Sequence, residues 1–257
     1  MTRSEEAAAP PLLEARGLVR EFAGAAAVAG IDLTLHHGAF LAIFGPNGAG
    51  KTSLLRLLGG GLRPTRGEVW LAGERLQIGS PRGRERVGML SHQTFLYGDL
   101  TACENLRFYG RLYGLADLEA RIAERLGEVG LLERADDRAG TLSRGMRQRL
   151  GLARTLLHDP ELVLLDEPYT GLDLHAAAVL REVLGTLRDG RRTVILVTHN
   201  FVQGLELADR AAIQVRGRFA WENSTSGLDV REFEVLYQET VARTEEGIAA
   251  GGARRQK

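Results

Sequence analysis

The spacing of apolar and polar residues changes period along the chain, and each change marks an element. "LLEARGLVREF" (12–22) and "AGIDLTLHHGAFLAIF" (29–44) alternate in places with period two, which predicts strands. Within the second, "FLAIF" (40–44) is apolar at every position, as in a strand covered on both faces. Thr52–Leu58 then reads as a helix, stopped by three glycines at 59–61. "TACENLRFYGRLYGL" (101–115) is helical in character. "LEARIAERLGEVGLL" (118–132) sets Leu118, Ile122, Leu126 and Val129 on one helical face, with Arg and Glu opposite. A helical insertion is therefore expected from about 90 to 158. Strands return in "ELVLLDEP" (161–168) and "RTVILVTH" (192–199), separated by a helix in "AAAVLREVLGTLRDG" (176–190). Strand and helix in alternation predict a parallel sheet.

The ends read differently. Residues 1–11, "MTRSEEAAAPP", are expected to be a loose leader before a single domain at 12–222. Past about 220 "ENSTSG" breaks the pattern. A C-terminal extension at 223–257 is expected, with "GIAAGGARRQK" at its end disordered. No internal repeat stands out.

Composition narrows the function classes. Lys and Arg number 33 and Asp and Glu number 33, so the formal charge is zero. That speaks against a strongly basic nucleic-acid binder, and no nucleic-acid partner is expected. The one cysteine, Cys103, excludes an internal disulfide and reads as a small packed residue. No run approaches the roughly 20 apolar residues of a bilayer span, and the start lacks the apolar core of a secretion signal. The chain is expected not to span a membrane itself, while docking on one stays open.

Chemistry enters with "GPNGAGKT" (45–52), which meets every fixed position of the phosphate-binding pattern G-x-x-x-x-G-K-[ST]. Glycines let backbone amides approach phosphate oxygens without a Cβ in the way. The helix behind them turns its positive end to the same anion. Lys51 is suited to the β- and γ-phosphates and the Thr52 hydroxyl to Mg²⁺. Gly45, Pro46, Asn47, Gly48, Ala49, Gly50, Lys51, Thr52 and Ser53 thus form the expected nucleotide cradle. The apolar strand "LVLLDE" (162–167) ends in two carboxylates. Asp166 is placed to hold Mg²⁺, and Glu167 to polarise the water that attacks a γ-phosphate. Mg-ATP or Mg-GTP hydrolysis follows as the expected chemistry.

With "LSRGMRQR" (142–149) the sequence resembles the ABC ATPases, the nucleotide-binding domains of ATP-binding-cassette proteins. Their signature is typically L-S-G-G-Q; here Leu142, Ser143 and Gly145 keep it, while Arg144 and Met146 depart from it. The resemblance implies an α/β fold: a RecA-like P-loop NTPase core, an N-terminal antiparallel β subdomain and an inserted helical subdomain. It implies ATP and Mg²⁺ as ligands, and a second ATPase subunit, identical or homologous, whose nucleotide meets Ser143 and Gly145. "YTGLD" (169–173) looks like the D-loop, with Asp173 toward the partner. His199 in "VTHN" matches the switch histidine at the γ-phosphate. Phe22 stands where an aromatic stacks on adenine, and it is equally suited to a core.

The family also carries a glutamine at the start of the helical insertion, in a run like P-Q-x-x-x-L-Y-x-x-L-T. In "HQTFLYGDLT" (92–101) that position falls on His92, with Gln93 one residue later. Neighbours in an extended segment point to opposite sides, and Mg²⁺ prefers oxygen ligands, which favours Gln93 for direct ligation, while a water bridge would let His92 serve instead.

Finer likeness in "HQTFLYGDLTACENLRFYGRLYGL", "LSRGMRQRLGLARTLLHDPELVLLDEPYTGLD" and "THNFVQGLELADR" is to the ATP-binding subunit of the bacterial haem exporter used in cytochrome c maturation. That branch includes drug and polysaccharide exporters. It implies integral membrane permease partners and a peripheral place on the cytoplasmic face of the membrane; no residue chemistry here binds haem. A soluble cassette acting on ribosomes or DNA is disfavoured by the single cassette and the short span from Lys51 to Asp166. A nucleotide-binding regulator without turnover is disfavoured by Glu167 and His199.

Overall fold

A computed structural model describes residues 10–91 and 93–253, with side chains through residue 244. The leader expected at 1–11 lies outside the described residues up to residue 9. The chain opens with the strands β1 (Leu13–Phe22), β2 (Ala25–Leu35) and β3 (Phe40–Phe44), then helix α1 (Lys51–Leu58). Two further strands, β4 (Arg66–Leu71) and β5 (Glu74–Arg75), precede a short helix α2 (Pro81–Arg86) and strand β6 (Val87–Leu90). Helices α3 (Ala102–Leu112), α4 (Leu118–Glu128) and α5 (Arg144–Leu156) follow in succession. Then come β7 (Leu162–Asp166), α6 (Leu174–Gly185), β8 (Thr193–Val197), α7 (Phe201–Leu207), β9 (Arg210–Val215), β10 (Arg218–Ser224) and α8 (Val230–Ala253).

The strands form two sheets. β2, β1, β4 and β5 make an antiparallel sheet in that order, while β10, β9, β3, β8, β7 and β6 make a second one. In the second sheet all neighbours are parallel except β10 on β9. The fold is thus the expected P-loop NTPase core with an antiparallel β subdomain beside it. β3, β7 and β8 are buried at every residue, because layers cover both faces of the parallel sheet. One face packs on α1 and the antiparallel sheet, with Leu41, Ile43, Leu54, Leu164 and Val197 among its core residues. Phe40, Phe44, Leu165 and Leu196 face the other, where the helices gather.

Local chemistry sets the helix ends. Thr101 caps α3 with a full capping box, its side chain accepting from the Glu104 amide while Glu104 reaches back to Thr101; such a cap contributes about 1 kcal/mol. On α4, Ile122 and Leu126 are buried as the stripe predicts, with Val129 buried just past its end. Cys103 is half-buried against the same core.

The C-terminal part departs from expectation. β10 continues through Asn223 and Ser224, paired with Ala211 and Arg210, where a break was expected from 222. Beyond it α8 runs to Ala253, through most of the segment expected to be disordered. Propensity read in isolation undervalues such a helix, whose stability comes from the face it buries. Phe233 provides that burial, with no exposed surface.

Candidate functional site

Three adjacent strands of the parallel sheet carry the site. In the order β3, β8, β7, the register pairs Ile43 with Val197 and Asp166 with Val197. The residues that follow these strands therefore emerge side by side at one carboxyl edge. Gly45 opens after β3, Thr198 and His199 follow β8, and Glu167 follows β7. Ligands of open α/β sheets bind at this edge.

The loop from Gly45 to Gly50 is shaped by backbone that side chains would not allow. Gly50 has φ +97°, and a Cβ on it would lie 1.8 Å from the Ala27 carbonyl oxygen. Gly45 is pressed in the same way against the Gln214 carbonyl, with 2.1 Å available. Lys51 lies under the loop, its Nζ donating to the carbonyls of Gly45 at 2.7 Å and Pro46 at 3.0 Å. Burial holds its pKa below the ordinary lysine value, and the nearby carboxylates Glu167 and Asp166 only partly oppose this.

Behind Lys51, the Thr52 hydroxyl donates to Asp166, 2.9 Å from Oδ2 and 3.1 Å from Oδ1. Asp166 is almost wholly buried. A hydroxyl facing a buried carboxylate is an all-oxygen donor set, and it fits a hard divalent cation such as Mg²⁺. The cradle fits a phosphate chain equally well, since glycine amides and a helix N-terminus converge beside an ammonium group.

Glu167 is held in an unusual backbone state, with φ +52°. Its amide donates to the Val197 carbonyl at 2.9 Å, so the strand edge enforces a conformation that L-residues seldom adopt. Its Oε2 accepts from His199 Nδ1 at 2.7 Å. The His199 side chain is 71% exposed and that of Glu167 23%, so the pair faces solvent.

The remaining candidates form separate groups. Ser143 caps α5, its Oγ accepting from the Met146 amide at 3.2 Å. Asp173 caps α6 in the same manner, through Ala176. These two helix starts pack tightly: a Cβ on Gly145 would come within 2.6 Å of Ala176 Cβ. Arg144, at the position where the expected signature has glycine, donates to the Thr170 carbonyl at 2.9 Å and lies against Gly171. The Thr170 amide in turn donates to the Glu167 carbonyl. Thr94, Arg144, Arg147, Gln148, Glu167 and Thr170 line a cleft of about 230 Å³. No described contact brings Ser143, Gly145 or Asp173 to Lys51 of the same chain.

Gln93 follows β6 at the same sheet edge, and its side chain is exposed. Its backbone is fixed by Ser91, whose Oγ donates to the Gln93 carbonyl at 2.8 Å. His92 lies outside the described residues. Phe22 ends β1, 45% exposed, with the Arg20 guanidinium 4.5 Å from its ring centroid; it is not a core residue.

Sequence reasoning missed the supports behind the loop. Gln214 is fully buried and donates through Nε2 to the Ala49 carbonyl at 3.1 Å, and the Gly217 amide donates to that same oxygen at 2.9 Å. The signal was a lone polar residue in the apolar run "AAIQV" (211–215).

The doubly covered parallel sheet and the cradle at its edge define a P-loop nucleotide-binding protein. Comparison with known proteins carries this further. The family described as "ABC transporter" matches residues 28–170. The Nod factor export ATP-binding protein I of Cupriavidus pinatubonensis is 37% identical over 209 residues, 80% of this chain and 64% of that protein. The chain thus spans under two thirds of that relative's length. The ABC transporter ATP-binding protein NatA of Bacillus subtilis is 34% identical over 205 residues, 79% of this chain and 83% of that protein. A solved ATP-binding cassette, dimeric and in a post-hydrolysis state with ADP and Pi, matches with a TM-score of 0.75 at 25% identity. That match covers 84% of this chain and 100% of the other. The chain belongs to the ABC transporter family.

Proposed function

We propose that this chain is the ATP-hydrolysing subunit of an ABC exporter, closing on a second ATPase subunit around ATP and driving separate membrane permease subunits. The observation that carries the reading is the meeting of Lys51, Thr52, Asp166, Glu167 and His199 at one strand edge. In this reading the backbone amides of residues 47–52 and Ser53 bind the phosphate chain, with Gly45 and Pro46 shaping the turn that aims them. Lys51 spans its β- and γ-groups, and Phe22 offers a ring to the base. Thr52 and Asp166, with the Gln93 amide oxygen, would hold Mg²⁺, whose charge offsets that of the phosphate oxygens. Glu167 orients a water whose oxygen bonds to the γ-phosphorus as the bridging P–O bond breaks, giving ADP and phosphate. His199 fixes the Glu167 carboxylate and faces the γ-phosphate.

Ser143, Gly145 and Asp173 belong to the other half of each site. Their separation from Lys51 within one chain supports a composite site built by two chains, as does the dimeric state of the solved cassette. ATP then bridges the pair, and loss of the γ-phosphate releases it. Peripheral attachment at the cytoplasmic face follows from a permease partner. Among the described residues no helix is long and apolar enough to cross a membrane.

Export as the direction of transport draws on a relative named for Nod factor export. Haem as cargo rests only on the likeness of the three motif stretches; relatives named for Nod factor export and for fluoroquinolones export support the drug- or polysaccharide-type alternative. Co-purification of the tagged chain with its permease separates them: a haem-handling partner supports the first, a multidrug-type permease the second. For hydrolysis itself, Glu167→Gln is expected to lose turnover by at least about 10²-fold while retaining ATP in a trapped dimer. Normal hydrolysis by that variant would remove Glu167 from the mechanism.

A further inference from the structure

An aromatic cluster outside the nucleotide site touches two of the three segments that build it. Phe44 is the last residue of β3, directly before Gly45 of the phosphate loop. Phe201 begins α7, two residues after His199. Their rings meet edge to face, 5.5 Å between centroids. Phe233 of α8 fills the angle between them, 4.8 Å from Phe44 and 5.4 Å from Phe201. Tyr237, one helical turn on, lies 5.0 Å from Phe201, and Trp221 of β10 closes the cluster 5.7 Å from Phe233. Among the α8 residues whose side chains are described, Phe233 alone is fully buried.

The two contacted segments differ in how firmly they are otherwise held. Phe44 sits in a strand paired on both sides, and the loop after it is tied from behind by Gln214 and Gly217. His199 lies beyond the end of β8, on a side chain 71% exposed. Its backbone passes into α7, a helix of only 7 residues, too short to hold itself. The first turn of α7 has the Asn200 cap, whose Oδ1 accepts from the Gln203 amide at 3.0 Å. It also has the aromatic contacts of Phe201. Gly204 lets this helix lie flat on Phe44, since a Cβ there would come within 2.5 Å of that ring.

We infer that α8 is a clamp on the hydrolytic site: Phe233, supported by Tyr237, is a positioning residue that sets His199 through Phe201. The inference rests on the reading of His199 given above. It assigns the C-terminal helix, which lies outside the matched family span of residues 28–170, a part in turnover but not in nucleotide binding. Packed aromatic rings have discrete arrangements, and a smaller side chain lets the first turn of α7 shift. Loosening Phe233 therefore lowers kcat while the phosphate cradle keeps its affinity.

Steady-state kinetics of the full chain test this with three variants: Phe233→Leu, His199→Ala and the two combined. Phe233→Leu is expected to lower kcat about tenfold and leave the KM for ATP within about twofold. The double variant is expected to be no slower than His199→Ala, because both changes remove the same action. Phe233→Tyr, which keeps the ring, is expected to restore most of the rate. A raised KM with unchanged kcat overturns the clamp, and so does a double variant slowed by the product of the single effects. His199→Ala with an unchanged rate fails the reading of the site itself; a slow His199→Ala beside a normal Phe233→Leu fails only the clamp. Should Phe233→Leu not fold, Tyr237→Leu, which removes the second ring on Phe201, replaces it: a lowered kcat with KM unchanged and no further loss beside His199→Ala is expected, and a normal kcat overturns the proposal.

Discussion

Lys51 combines two demands that oppose each other in the free protein. In the proposed site it must carry charge for phosphate, yet it is buried, and burial holds its pKa below the ordinary lysine value. The unfolded chain, with lysine near 10.4, binds the proton more readily than the native one. Between the lowered native value and that of the unfolded chain, stability of the wild type therefore rises with pH. Lys51→Met lacks this titration. In nucleotide-free protein, the wild-type melting temperature minus that of the variant is expected to be larger at pH 10 than at pH 7.5. A difference that stays constant with pH would refute the buried charge. The same variant is expected to bind ATP about 10–10²-fold more weakly, the loss of a charge-assisted contact worth roughly 1.5–3 kcal/mol, measured by titration calorimetry. Residue type and spacing were enough to group Lys51, Thr52, Asp166 and Glu167, and the structure brings them to one strand edge; their proposed phosphate and Mg²⁺ roles leave few substitutes at these positions. Gln214 and Ala27 were not legible, because a carbonyl or amide that backs a loop from another strand obeys no local pattern.

At the level of elements, the helical segment is joined to the sheet along α5 and β6. Thr155 Oγ1 and the Arg154 guanidinium both donate to the Met89 carbonyl, and Gly88 gives way so closely that a Cβ would meet the Thr155 carbonyl at 2.6 Å. His158, just past α5, stacks on Tyr113 at 4.1 Å and lies 3.2 Å from the Val87 carbonyl through Nε2. Burial, chiefly, pushes its pKa below the ordinary histidine value. As pH falls below about 6.5, the unfolded chain takes up a proton that the native seam resists, and stability drops. His158→Gln keeps a donor without the titration. It is expected to lose less melting temperature between pH 7 and pH 5 than the wild type does, in calorimetric scans. Equal losses would mean this seam plays no part in acid sensitivity. Elements of strong period, such as β3, β7 and α4, were legible beforehand, since burial on two faces or on one stripe leaves a direct trace in sequence. The extent of β10 and α8 was hidden, because an edge strand tolerates Asn and Ser while paired, and α8 is secured by the single buried ring of Phe233.

For the whole molecule, the decisive property is the division of each proposed site between two chains. A two-fold pair gives every chain one phosphate cradle and one signature helix, used by opposite partners. Lys51→Ala spoils the cradle and leaves the signature whole; Ser143→Arg does the reverse, at a cost of about 1 kcal/mol for the lost cap on α5. Each variant alone is expected to have almost no ATPase activity. Mixed in equal amounts and allowed to exchange, about half of the dimers contain one of each variant, and each of these holds one intact site. Recovery to about a quarter of the wild-type rate is the expected outcome in an ATPase assay of the mixture. A site completed by Ser143 of the same chain would give no recovery at any mixing ratio, since every cradle would then face its own defect. Cooperation between the two sites of a dimer would pull the recovered rate below a quarter without abolishing it. The link from Arg144 through Thr170 to Glu167 supplies a physical route for that cooperation, because it ties the helix serving one nucleotide to the carboxylate serving the other.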